Sequence, residues 1–141
     1  MRITKHLTLA AVLVFVFARN GLPADLRVTD TSNITVVVHG AVVDYGAFRD
    51  DKEDQGIRIQ QGEAAVTAQW ANIGTLTVTG KDESATPPRI RIELLLRNGQ
   101  KVSGVLVSRG RMKLLGKTDL GDYSIGLEKI RTIVPVLPDK R

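Results

Sequence analysis

The chain has no cysteine among its 141 residues. That absence excludes disulfides, thiolate chemistry and a lipid-modified cysteine, so any fold must stand on its apolar core alone. Aromatic residues are also few, with one Trp, two Tyr and three Phe. Beyond residue 90 only Tyr123 remains, which leaves a platform for stacking bases poorly supplied. Of the two histidines, only His39 lies outside the first 24 residues. One histidine and no nucleophile motif assemble no catalytic triad, and a zinc site wants three or four side-chain ligands. His39 sits in a Val-rich stretch and reads as a strand histidine, facing solvent or tucked against a neighbour. No catalytic residue, cofactor or metal site is therefore expected.

Long apolar runs are missing as well, with one short exception. Arg2 and Lys5 precede LTLAAVLVFVFA, an uncharged run from Leu7 to Ala18 that Arg19, Asn20, Gly21 and Pro23 bring to a stop. A spanning helix needs about 20 apolar residues, so the run has the length and flanks of a secretory signal peptide. Leu22-Pro23-Ala24 places the cut after Ala24. A cut after Ala18, or retention as an uncleaved anchor, are the alternatives. Residues 25–141 are expected to be secreted or periplasmic, with no stable membrane span after cleavage.

What remains is patterned as strands. LRVTD, NITVVVHGAVVDY, GIRIQ, AAVTAQW and GTLTVTG are short, rich in Val, Ile and Thr, partly alternating, and bounded by Gly, Asn or Asp. No stretch carries a clean helical stripe, so the fold class is all-β. The chain also repeats itself. RVTDTSNITVVVHGAVV (27–43) lies over RIELLLRNGQKVSGVLV (91–107), pairing Val28 with Ile92, Val38 with Val102 and Gly40 with Gly104. Further on, QWANIGTLTV (69–78) lies over GLEKIRTIVP (126–135), pairing Trp70 with Leu127 and Ile73 with Ile130. Apolar positions match better than polar ones, as a duplicated small β unit requires. The expected layout is repeat 1 over 25–79, a linker over 80–89, repeat 2 over 90–136 and a tail over 137–141. The two units are expected to pack side by side, with Trp70 or Leu94-Leu95-Leu96 in an apolar interface. Three consecutive leucines need cover on both faces of a strand.

The charged loop FRDDKED (48–54) accounts for the extra length of repeat 1. Asp50, Asp51, Glu53 and Asp54 offer oxygens to a hard cation such as calcium, but the spacing is not that of a calcium loop, and Arg49 and Lys52 partly neutralise it. A solvated hairpin loop is the expectation. In repeat 2, Asn98-Gly99 predicts a type I′ hairpin, and Gly110, Gly116 and Gly121 are expected where strands reverse or bend tightly. GRMKLLGKT (110–118) is one residue too long between its glycines for a phosphate-binding loop, and strand rather than helix follows it.

The succession of RNGQKVSG as a hairpin, strands VLVS and MKLLG, the turn KTDLGDY, the strand SIGL and the closing EKIRTIVP resembles small SH3-like and Sm-like β-barrels. It also looks like repeat units found in uncharacterised secreted bacterial proteins. The resemblance implies about five strands per unit and a role in binding or assembly, in some such barrels with nucleic acid and in others with peptides. It covers repeat 2 better than repeat 1, where the charged loop is inserted and Trp70 replaces an aliphatic residue.

Charge is divided unevenly. Asp25 to Thr79 holds four cations and eight acids, whereas Ile90 to Arg141 holds eleven cations and five acids. Such a split suits self-association of oppositely charged repeats, or an anionic partner on repeat 2. Arg97, Lys101, Arg109, Arg111, Lys113 and Lys117 are the candidate residues. In an alternating strand Arg109, Arg111 and Lys113 share one face, with Met112 and Leu114 on the other. A protein or an anionic envelope polymer fits a secreted chain better than nucleic acid, and a non-catalytic interaction or assembly module is the favoured reading. A polyanion- or nucleic-acid-binding small barrel is the alternative.

Overall fold

The computed structural model describes residues 24–46, 51–86, 89–106 and 111–137. The leader expected over 1–24, apart from Ala24, lies outside the described residues, as do 48–50 of the charged loop, Pro87-Pro88, Arg109, Gly110 and all of the tail but Leu137. Among the described residues the chain is all-β, and no helix is long and apolar enough to cross a membrane.

Eleven strands follow one another as β1 (Asp25–Asp30), β2 (Thr35–Asp44), β3 (Lys52–Glu53), β4 (Gly56–Gln61), β5 (Ala64–Gln69), β6 (Ile73–Asp82), β7 (Arg89–Leu96), β8 (Lys101–Leu106), β9 (Lys113–Thr118), β10 (Gly121–Gly126) and β11 (Ile130–Val136). Single 3₁₀ turns, Trp70–Asn72 and Leu127–Lys129, lead into β6 and β11. All pairings are antiparallel, in a curled half-barrel sheet ordered β10-β9-β2-β1-β11-β6-β7-β8-β4-β5, with β3 beside β2. The hairpins β1–β2, β4–β5, β7–β8 and β9–β10 are local, but β1 pairs with β11, β2 with β9 and β4 with β8. Strands from the two sequence halves are therefore interleaved in the sheet. The segment 80–89 also differs from a linker. Gly80, Lys81 and Asp82 pair with Arg91, Ile90 and Arg89, which makes it the end of a long β6–β7 hairpin.

Period-two burial builds the core. Leu26 and Val28 in β1, Ile90, Ile92 and Leu94 in β7, and Ile133 and Pro135 in β11 are buried. Met112 and Leu114 are buried between exposed Arg111 and Lys113, which is the alternation expected of that stretch. Trp70 and Leu127 are each 2% exposed at the heads of the two 3₁₀ turns. The leucine run departs from the expectation of cover on both faces. Leu94 is buried and Leu96 half-buried, but Leu95 is 41% exposed and points outward beside Thr75 and Lys101.

The Asn98-Gly99 hairpin exists, but not as type I′. Gly99 has φ +89 while Asn98 is absent from the positive-φ residues, and the Gly99 N–H donates to the Leu96 carbonyl at 2.9 Å. That is a three-residue loop with its last residue left-handed, the form favoured next after the two-residue turns. The β1–β2 loop repeats it, with Asn33 at φ +66 and its N–H on the Asp30 carbonyl at 3.0 Å. Gly116 lies mid-strand in β9 rather than at a reversal. A Cβ there would come within 2.4 Å of Val38 Cγ1 and 2.9 Å of the His39 carbonyl, so close strand approach explains this glycine.

Candidate functional site

The sheet bends where β2 changes neighbours. Its first four residues pair with β1, His39 and its last three pair with β9, and the register shifts between His39 and Val42. Gly40 takes up the bulge at φ +59. Asp25 secures it, accepting the Gly40 N–H at 3.3 Å through Oδ1 and meeting His39 Nδ1 at 3.0 Å through Oδ2. The Ala41 N–H donates to the Ala24 carbonyl at 2.9 Å.

On the outer side of this bend is a shallow depression of about 360 Å³. Val42 and Leu115 give it an apolar floor, and His39, Lys52 and Lys117 bring three basic side chains from β2, β3 and β9. His39 stands directly across from Lys117 in the β2–β9 register. Asp25 serves His39, whereas among the described residues neither Lys52 nor Lys117 makes an ion pair. The depression thus offers positive charge over an apolar floor, suited to holding an anion by attraction. His39 enters through the fold alone, since its sequence surroundings are those of an ordinary strand residue.

The six sequence candidates separate in space. Lys113 and Lys117 lie on the outer side of β9 with Leu115 between them, and exposed Arg111 stands two residues before Lys113, where that strand begins. Arg97 and Lys101 belong to the β7–β8 hairpin, on the far side of the central strands. Arg97 is already engaged, its Nε donating to the Ala71 carbonyl at 2.8 Å and its backbone N–H to Asn72 at 3.0 Å. Arg109 lies outside the described residues. The pairing of β9 with β2 instead of β8 divides the set.

A second polar cluster holds part of the charged loop. The Arg58 guanidinium contacts the Asp51 carboxylate at 2.5 Å and lies 4.3 Å above the Tyr45 ring, while the Arg58 backbone N–H donates to the Tyr45 hydroxyl at 2.8 Å. Asp51 also accepts the Tyr45 N–H through its carbonyl at 3.0 Å. Burial pushes the Tyr45 hydroxyl up to about 12, and the hydrogen bond that the Arg58 guanidinium donates to the Asp51 carboxylate raises Arg58 further. Asp51 is thereby a structural partner rather than a solvated loop carboxylate. Among the described residues no group of three or more His, Asp or Glu is placed to hold a metal ion.

No protein-family model, no curated protein and no solved structure matches this chain.

Proposed function

We propose that the chain is a non-catalytic interaction module, sent along the secretory route by residues 1–24, whose partner is a protein or envelope polymer bearing negative charge. The observation carrying this reading is the convergence of Lys52, Lys117 and His39 on one depression, continued by the exposed cations Lys113 and Arg111 along and before β9. Attraction at such a surface guides association and sets specificity, and salt weakens it.

The same reading takes the molecule as a duplicated pair of small SH3-like or Sm-like units. In its support, the two 3₁₀ turns precede β6 and β11, and the two three-residue hairpin loops share one hydrogen-bond form. If β1, β2, β4, β5 and β6 correspond to β7, β8, β9, β10 and β11, the sheet order reads the same from either end. The hairpin loops set Asn33 against Gly99, two residues off the alignment that joins Val38 to Val102.

The test is binding of fluorescent poly-glutamate to the full chain at low and high salt. Binding that falls steeply with salt and weakens about tenfold in the Lys113→Gln, Lys117→Gln double variant is the expected result. Binding to a neutral polymer of equal size with the same affinity sinks the proposal. The nucleic-acid alternative rests on the same exposed cations and predicts instead a preference for single-stranded DNA over poly-glutamate.

A further inference from the structure

We infer that β5 is a pairing edge for a second copy of this chain, forming an antiparallel two-fold dimer centred on Val66. This inference is independent of the anionic-partner reading, because β5 lies at the opposite end of the sheet from β9.

Among the described residues the strands β10 and β5 end the sheet, each with a single neighbour. Edge strands are normally blunted by charge, proline, a bulge or a covering segment. In β10, Asp122 supplies a charge, while Tyr123 and Ile125 are packed against the core. In β5, AAVTAQ has neither charge nor proline, and its register with β4 is unbroken from Gly56–Gln69 to Gln61–Ala64.

The hydrogen-bonding phase of β5 can be read from its neighbour. The Trp70 N–H donates to the Gln55 carbonyl at 2.9 Å, one step beyond the Gly56–Gln69 pair. Alternation along an antiparallel ladder then turns the backbone groups of Ala68, Val66 and Ala64 toward β4, and those of Gln69, Thr67 and Ala65 toward the free edge.

The side chains point the same way. Val66 lies opposite buried Ile59, on the core side of the sheet, yet is 45% exposed because no further strand among the described residues covers it. A second β5 arranged with Val66 facing Val66 keeps the core faces continuous, covers both valines and sets Ala65 of each copy against Thr67 of the other. The two-fold makes this surface self-complementary, and with no charged residue in the strand no like charges meet across it. At each end Glu63 of one copy falls opposite Gln69 of the other. That places it near the 3₁₀ turn where Arg97 is tied to the Ala71 carbonyl, so opposite charges approach at both ends of the pairing.

The experiment is light scattering of the full chain across a concentration series at low and high salt, with amide exchange on the same samples. A concentration-dependent dimer that persists at high salt, with slowed exchange at Ala65 and Thr67 in the dimer, is expected. Thr67→Pro removes an outward N–H and leaves the β4 ladder intact, so it abolishes the dimer while the monomer stays folded. Val66→Lys, at a position already partly exposed, sets like charges opposite one another and weakens dimerisation about tenfold or more. A monomer at every concentration overturns the inference, as does a dimer indifferent to both substitutions. Dissociation by salt alone shows charge-driven docking of the two halves instead, and mass that grows without plateau shows head-to-tail joining of β5 to β10.

Discussion

At the scale of single residues, Tyr45 does the most with the least sequence warning. It is 1% exposed, and its hydroxyl accepts the Arg58 N–H beside the Arg58–Asp51 pair. Because burial raises its pKa from 10.0 to about 12, the folded state keeps a proton that the unfolded state loses first. Stability from this group is therefore complete below pH 10 and lost as pH rises toward 12, about 3 kcal/mol in all. Tyr45→Phe is expected to flatten that alkaline slope in urea titrations. It also leaves the Arg58 amide without its acceptor, at about 1–2 kcal/mol near neutral pH. A slope unchanged by Tyr45→Phe would assign the alkaline loss elsewhere. Trp70 is a second residue of this kind. It is buried at the head of a 3₁₀ turn, and its indole N–H has no acceptor among the described residues. Neither role is legible in sequence, since both depend on what faces the ring across the fold.

Among the elements, the strands themselves were readable and several of their details were not. Alternation in RMKLL predicts Met112 and Leu114 inside, and they are. The same logic applied to Leu94-Leu95-Leu96 misleads, because hydrophobicity at three successive positions says nothing of which face has a neighbour. Glycine is ambiguous in the same way. Gly99 ends a hairpin loop at positive φ, whereas Gly116 sits inside β9 where Val38 and the His39 carbonyl leave no room for a side chain. Gly116→Val is expected to force β9 away from β2 and cost about 1–3 kcal/mol or more, by the logic of overpacking. Equilibrium unfolding in urea measures it, and a midpoint equal to that of the parent chain would show that β2 yields freely at the bulge.

For the whole molecule, the decisive fact is that strands of the two halves are interleaved. The fold does not divide at the end of β6, because β1 and β2 pair with β11 and β9 while β4 pairs with β8. A cut between Ser84 and Ala85, at the tip of the β6–β7 hairpin, is therefore expected to leave both fragments associated in one particle. Its unfolding becomes concentration-dependent, as mass action requires when two chains must meet to fold. Fragments that separate on a sizing column without denaturant would contradict this. The interleaving also carries Lys52 and His39 from the first half to Lys117 in the second, and moves Arg97 and Lys101 away from β9. By itself the sequence determined the all-β class, most strand positions, the alternation that builds the core and the unequal charge of the halves, because these follow from local spacing and composition. Only the tertiary structure decided which strand lies beside which, and hence which cations gather and which edge stays open. Hydrogen-bonded strand pairing joins residues far apart in the chain, and the period-two pattern that specifies a strand's buried face leaves its neighbour unspecified.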